Sequence, residues 1–141
     1  MEDLQLAKKE FEKGEYSLIL VKNGEVVGTS KEKGVKGILE FYLNHKELLE
    51  GAAVADKLVG RAVAMICQQG KVKGLYTPLL SEGGEEILRQ GNIPYQADRI
   101  VKAIKNRDNT DLCPIEKLTL GVKDSRQGIN KILEFFQNLP K

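Results

Sequence analysis

The sequence contains one group of closely spaced polar residues that could bind a charged ligand. Asp56, Lys57, Gly60 and Arg61 lie in the first half of residues 52–67, whose second half is apolar. We expect this segment to be one helix, and at about 100° per residue the four residues then fall within an arc of about 140°. Backbone N–H groups and basic side chains at a helix N-terminus favour anions. The group therefore predicts a ligand pocket, with a solvent-facing helix edge as the alternative.

A second polar group follows the next predicted strand. Thr77 lies within the strand predicted at residues 72–80, and Ser81, Gly83 and Gly84 form a turn into a short helix. The Ser81 hydroxyl can cap that helix, and glycines allow a ligand to approach the backbone closely. A tight turn without a ligand explains the same two glycines.

Cys113 is a candidate nucleophile. It precedes Pro114 at the predicted start of a helix, where the helix dipole favours a thiolate; Thr110 or Asp111 is the expected cap. Asp56 is a second candidate nucleophile, with Lys57 as its acid or electrostatic partner. The alternative for Cys113 is a purely structural role, because no histidine lies near it in the sequence to act as a base.

The sequence predicts no metal site. Zinc needs at least three converging N or S ligands, and the chain offers one histidine, His45, and two cysteines, Cys67 and Cys113. If residues 52–67 form one helix, Cys67 lies about 16 Å from Asp56 along its axis and cannot reach the pocket. We therefore expect neither zinc nor another metal cofactor.

Composition places the chain among small folded domains. Its 141 residues suit a single domain, residues 1–141, and the net charge is only +2. No basic run is interleaved with aromatic residues, so a nucleic-acid partner is not expected. No apolar stretch approaches the roughly 20 residues of a membrane span, and the N-terminus does not look like a signal peptide. Two widely spaced cysteines indicate reduced thiols, so we expect a cytoplasmic protein without membrane association.

The pattern of elements predicts a mixed sheet. The Asn23-Gly24 turn makes the strands at 16–22 and 25–30 an antiparallel hairpin. A strand, a short helix ending at Gly91 and a second strand indicate a parallel pair with a right-handed crossover. Helices on both faces then give a three-layer α/β/α sandwich. We also predict helices at 3–13, at 34–49, from about Pro114, and at 126–139, where Asp124 or Ser125 is the expected cap. The remaining strands are an edge strand at 93–97 and a strand leading into a loop at 98–111.

Four segments carry a resemblance to a known family. They are VADKLVGRAVAM, LYTPLLSEGGEEILRQGNIPY, KNRDNTDLCPIEKL and the C-terminal helix, in that order. From about Tyr16 onward the chain resembles an uncharacterised bacterial family with a cytidine deaminase-like fold. The resemblance implies that the start of the helix after Asp56 faces the turn at 81–84, and that the natural ligands are nucleosides, nucleotides or bases.

The chain departs from the zinc deaminases at both metal-binding motifs. Those enzymes carry a His or Cys two residues before a Glu, and a Pro-Cys-x-x-Cys turn; residues 55–57 and 81–84 match neither. We therefore expect a zinc-free domain without deaminase activity that binds a nucleotide or related ribose-bearing ligand. The resemblance and the polar groups predict as ligand-binding residues Asp56, Lys57, Arg61, Thr77, Ser81, Gly83 and Gly84. The alternatives are an enzyme of other chemistry using Asp56 or Cys113, and an interaction module that forms a homodimer through helix 52–67.

Overall fold

The structure is a computed structural model that describes residues 2–105 and 113–137. Its elements in chain order are α1 (Glu2–Phe11), β1 (Leu18–Lys22), β2 (Glu25–Ser30), α2 (Lys36–Asn44), α3 (Lys46–Leu49), β3 (Ala53–Asp56), α4 (Arg61–Gln69), β4 (Gly74–Ser81), α5 (Glu82–Gln90), β5 (Tyr95–Val101), α6 (Pro114–Thr119) and α7 (Ser125–Gln137). Among the described helices, none is both long and apolar enough to cross a membrane.

The sheet is mixed, as the sequence predicts. Its strand order is β2-β1-β3-β4-β5. Strand β1 runs antiparallel to both β2 and β3, whereas β3, β4 and β5 are parallel. Asn23 and Gly24 have φ values of 52° and 79°, which is the left-handed geometry that a two-residue hairpin turn requires. The predicted hairpin and the predicted parallel pair β4–β5 are both confirmed.

Helices cover both faces of the sheet. Alternate residues of β1 point to opposite faces: Leu18 and Leu20 join the larger core beneath α2 to α7, while Ile19 and Val21 join a smaller core. Helix α1 contributes Leu4 and Ala7 to that smaller core, and α1 contacts β1, β3 and β4. The chain is therefore an α/β protein with a five-stranded mixed sheet between helices.

The prediction of one helix at residues 52–67 is wrong. Ala53–Asp56 is the central strand β3, and helix α4 begins only at Arg61. All four residues of β3 are buried, because β1 and β4 flank it and helices cover both of its faces. A strand buried on both faces shows no apolar–polar alternation, so its sequence resembles a buried helix. Asp56 and Arg61 consequently lie on different elements, and the polar helical stripe does not exist.

Several predicted boundaries shift. The helix predicted at 34–49 is two helices, since His45 between them has non-helical angles (φ −143°, ψ 48°). Strand β5 is an edge strand that begins after Pro94 and continues into the segment predicted as strand leading into loop. Asp124 caps α7 by accepting the Arg126 N–H at 2.9 Å. The predicted caps Thr110 and Asp111, and residues 138–139 of the last helix, lie outside the described residues.

Candidate functional site

The carboxyl edge of the sheet brings most of the predicted site residues together. Because β3, β4 and β5 are parallel, their last residues, Asp56, Ser81 and Val101, lie at one edge. Ligands of open α/β sheets bind in the crevice outside the carboxyl ends of the strands. This edge is therefore the candidate functional site of the domain.

Asp56 is buried at the end of β3. Its residue exposure is 5%. Burial raises the pKa of Asp56 to about 8, because loss of hydration outweighs the stabilising effect of the backbone N–H groups of Leu58 and Lys57 on the charged form. At neutral pH the side chain is mostly a neutral carboxylic acid. It is thus a poor nucleophile.

Thr77 is the neighbour of Asp56 on β4. The register pairs Val54 with Leu75 and Ala55 with Tyr76, so the next residues along the two strands are Asp56 and Thr77. Thr77 is fully buried, and its hydroxyl donates to the Leu79 carbonyl at 3.1 Å. Its hydrogen-bonding capacity is used within its own strand.

Lys57 is exposed in the loop that follows β3. Its backbone N–H donates to the Ser17 carbonyl at 3.0 Å, which fixes the loop against the start of β1. Among the described residues, no ion pair joins the Lys57 ammonium group to the Asp56 carboxylate. Asp56 and Lys57 therefore do not form the acid–base pair that the sequence suggested.

Arg61 connects α4 to α6. Its Nε donates to the Thr119 carbonyl and its Nη2 donates to the Val122 carbonyl, each at 2.9 Å. These carbonyls lie at and just beyond the end of α6, where a cation also complements the helix dipole. Both observed hydrogen bonds of the guanidinium group go to the protein itself.

Glu116 completes this connection from α6. Its Oε1 accepts the Arg61 backbone N–H at 2.6 Å, so a carboxylate from α6 caps the N-terminus of α4. Glu116 is only 6% exposed, and burial raises its pKa. The rise is opposed by the backbone N–H groups of Arg61 and Ile104 and by the positive charge of Arg61. A Cβ at Gly60 would collide with this carboxylate. We call this arrangement the Arg61–Glu116 clamp.

The start of α5 packs directly against the start of α4. Ser81 caps α5 as predicted, because its Oγ accepts the Gly84 N–H at 3.0 Å. A Cβ at Gly83 would lie 2.7 Å from Cγ of Arg61, and one at Gly84 would lie 3.0 Å from the Gly60 carbonyl oxygen. The two predicted polar groups thus meet, and the glycines provide the space for that packing contact.

Cys113 lies apart from Asp56. It is half-buried at the start of the six-residue helix α6, and its N–H donates to the Ile104 carbonyl at 2.9 Å. It borders a mostly apolar cavity of about 80 Å³ that also includes Gly60 and Glu116. Asp56 does not line this cavity, so the structure does not combine the two candidate nucleophiles in one cavity.

Cys67 and Asp56 lie on two different elements, α4 and β3, and not on one helix. It is fully buried in α4, and burial together with the negative charge of Asp56 raises the pKa of its thiol. The expected separation of 16 Å assumed one helix and does not apply.

Within residues 2–105 and 113–137, no three His, Cys, Asp or Glu side chains are grouped so as to hold a metal ion. The absence of zinc from the purified protein remains a prediction.

The sequence reasoning missed an open hollow of about 480 Å³ beside the end of β5, which we call the β5 hollow. Its lining residues are Leu58, Leu79, Arg99, Val101, Lys102, Ala103, Ile104 and Lys105. Leu58 belongs to the loop after β3, and Leu79 pairs in register with Arg99 across β4 and β5. Residues at or near the carboxyl ends of all three parallel strands therefore line this hollow.

The charged side chains among the described residues that line the β5 hollow are all cations. Arg99, Lys102 and Lys105 are exposed, and none makes an ion pair with another described residue. Asp98 points to the opposite face of β5, where it accepts the Tyr76 hydroxyl at 2.7 Å. The signal for this site is the stretch DRIVKAIK, which carries three cations at the end of a strand predicted to be parallel to its neighbour.

A hollow of about 590 Å³ at the amino end of α1 is a weaker candidate. It is lined by Glu2, Asp3, Leu6, Asn23, Gly24 and Lys73, so its charges have both signs. The Asp3 carboxylate already accepts the N–H groups of Asn23 and Gly24 at 3.1 and 2.9 Å. This carboxylate serves to hold the hairpin turn against α1.

These features define a small α/β domain with a mixed sheet and a cationic hollow at its carboxyl edge. The chain belongs to the DUF1893 (TM1506) family, a domain of unknown function, whose family model matches residues 6–136. The crystal structure of a DUF1893 family protein (TM1506) from Thermotoga maritima is similar, with a TM-score of 0.88 and 28% sequence identity over 96% of this chain and 90% of that chain. No curated protein matches this chain significantly.

Proposed function

We propose that this chain is a zinc-free binding domain for a nucleotide or a related ribose- and phosphate-bearing small molecule, and that it has no deaminase activity. The observation that supports the proposal is the β5 hollow, where three exposed cations form no ion pair with a described residue at the carboxyl edge of a parallel strand set. Its volume of about 480 Å³ is within the range of about 300–1,000 Å³ that is usual for small-molecule pockets.

The lining suits a ligand that has both a charged and an apolar part. Arginine and lysine bind phosphate oxygens, and Leu58, Leu79 and Ile104 supply an apolar wall for a base. Lys57 precedes Leu58 and is exposed, so the proposal keeps it as a ligand-binding residue. The other predicted ligand-binding residues, Asp56, Arg61, Thr77, Ser81, Gly83 and Gly84, are assigned to the framework of this edge.

A cytidine deaminase-like scaffold is part of the proposal. It is supported by the resemblance of the sequence and by the contact between the helix starts after β3 and β4. At those places this chain has Gly60, Arg61 and residues 81–84, which include no imidazole and no thiol. The proposal also includes a cytoplasmic location, which rests on composition and on the two free cysteines.

Ligand-induced stabilisation tests the proposal. The triple variant Arg99→Gln/Lys102→Gln/Lys105→Gln removes the cations of the hollow. Its matched control, Lys9→Gln/Arg126→Gln/Lys131→Gln, makes the same change in net charge at exposed side chains that do not line the hollow. A ligand at 100 times its Kd stabilises a protein by about 2.7 kcal/mol, which raises Tm by several degrees.

The probes are adenosine, AMP, ADP, ATP and NAD. We expect at least one of them to raise Tm for the wild-type chain and for the control triple, and to have no effect on the hollow triple. If no probe shifts the Tm of the folded wild-type protein, or if the hollow triple responds as the control does, the proposal is wrong.

The structure weakens the original arguments for the two alternatives. Asp56 is buried and mostly protonated, which argues against it as the nucleophile, and Cys113 borders a small cavity whose described lining residues include no histidine to act as its base. The apolar residues of α4 are buried inside the chain itself and are not available to form an interface. A homodimer remains a proposal that sedimentation of the purified protein tests directly.

A further inference from the structure

The charges around the β5 hollow indicate which nucleotides it would prefer. Three cations line it, and no carboxylate is among its described lining residues. Magnesium in nucleotide sites is normally held by one or two carboxylates together with phosphate oxygens. The described part of this hollow offers no such carboxylate, and its cations would repel a bound divalent ion.

Two described acids lie close in sequence to the hollow, and neither lines it. Asp98 is next to Arg99, but adjacent residues of a strand point to opposite faces, and Asp98 is bonded to Tyr76 on the α1 side. Asp56 is two residues from Leu58, but it is only 5% exposed and is not among the described residues that line the hollow. The positive charge of the hollow is therefore not compensated from within these segments.

We infer that the β5 hollow binds the metal-free form of a multiply charged nucleotide, an inference that rests on the proposed function. The protein cations would then neutralise the phosphate charges in the place of magnesium. Arg99 and Val101 lie on the same side of β5, so phosphates at Arg99 would lie beside an apolar surface for the base or sugar. Affinity should then increase with the number of phosphates and decrease when magnesium neutralises them.

Isothermal titration with adenosine, AMP, ADP and ATP, each with EDTA and with excess Mg²⁺, tests this inference. We expect each added phosphate to tighten binding by about 3- to 10-fold, which corresponds to roughly 0.7–1.4 kcal/mol per phosphate. Excess Mg²⁺ should weaken ATP binding by about 10-fold or more, because it removes two of the charges that the cations recognise. Raising the salt concentration from 50 to 300 mM should weaken ATP binding more than adenosine binding.

The variants separate this inference from the proposed function. The single substitution Lys102→Gln should reduce the difference in affinity between ATP and AMP by about 3-fold or more, whereas the control Lys131→Gln should leave it unchanged. If adenosine binds as tightly as ATP, or if Mg²⁺ tightens ATP binding, the inference is wrong although binding itself stands. If none of the four probes binds to the folded protein, the proposed function fails together with it.

Discussion

The Arg61–Glu116 clamp and the β5 hollow are both charged regions at the same edge of the sheet, yet their side chains are used in opposite ways. In the clamp, Arg61 donates to two carbonyls near the end of α6, and Glu116 accepts an N–H at the start of α4. In the hollow, the three cations are exposed and make no ion pair with a described residue. The clamp holds elements together, while the hollow leaves its charges open to a partner.

The comparison shows that residue type alone does not identify a ligand site. Arg61 is a reasonable anion-binding residue in the sequence, but its hydrogen bonds are satisfied within the protein. A charged side chain supports a binding site when its polar atoms have no internal partner and line an open space. This criterion predicts large effects on stability for substitutions in the clamp and small effects for substitutions in the hollow.

The largest expected effect on stability is in the clamp. Glu116→Ala leaves the part-buried N–H of Arg61 without its acceptor and removes the favourable interaction of the carboxylate with the Ile104 backbone, at a cost of about 1–3 kcal/mol for each interaction. We expect the free energy of unfolding to fall by about 2–4 kcal/mol, measured by urea denaturation. Glu40→Ala, at an exposed position of α2, is the control and should change it by less than about 0.5 kcal/mol. If Glu116→Ala lowers the free energy of unfolding only slightly, the clamp does not hold α4 and α6 together, and its contrast with the hollow is wrong.

Asp56 is buried like Glu116, but it forms no ion pair with a described residue. Its pKa in the folded chain is about 8, above the ordinary value of 3.8, so between these pH values the folded state binds more protons than the unfolded state. Stability should therefore be greatest at low pH in this window and fall as pH rises. Asp56 alone should contribute a loss of about 2 kcal/mol between pH 6 and pH 8.

Asp56→Asn isolates this contribution because the amide has a similar shape and does not ionise. Urea denaturation at several pH values should show a shallower pH dependence for Asp56→Asn than for the wild-type chain, and the variant should be the more stable of the two above pH 8. Parallel curves for both proteins would mean that Asp56 does not carry a raised pKa.

A smaller effect is expected where α4 and α5 meet. In Gly84→Ala the added methyl group lies 3.0 Å from the Gly60 carbonyl oxygen, which is backbone and cannot easily move. Overpacking costs typically 1–3 kcal/mol, and the better helix propensity of alanine offsets roughly 1 kcal/mol of it. We expect a net loss of about 1 kcal/mol by thermal denaturation. A gain in stability would indicate open space between the two helices, and thus a ligand pocket at the position first predicted.

The smallest effect should be in the hollow. The triple variant Arg99→Gln/Lys102→Gln/Lys105→Gln loses no ion pair to any described residue, and it removes repulsion between like charges. Its free energy of unfolding in the absence of ligand should stay within about 0.5 kcal/mol of the wild-type value. A loss of several kcal/mol would show that these cations, like Arg61, serve the fold.

The sequence by itself determined the elements that local signals specify. The Asn23-Gly24 turn requires positive φ at two positions and thereby specifies the hairpin. Ser81 and Gly91 bound α5 through contacts a few residues away, so this helix and the parallel pair around it could be predicted. The mixed sheet with helices on both faces follows from these local features and the rules of connection.

Only the tertiary structure decided what occupies the carboxyl edge. Residues 53–56 form a strand because β1 and β4 hydrogen-bond to it on both sides, and a four-residue apolar run carries no local sign of those neighbours. The bond between Arg61 and Glu116 spans 55 positions, and Gly60 gives no indication in the sequence that a distant carboxylate needs its space. The cations of the β5 hollow could be read in the sequence, but whether they are free or paired depends on long-range packing, which residue types alone do not encode.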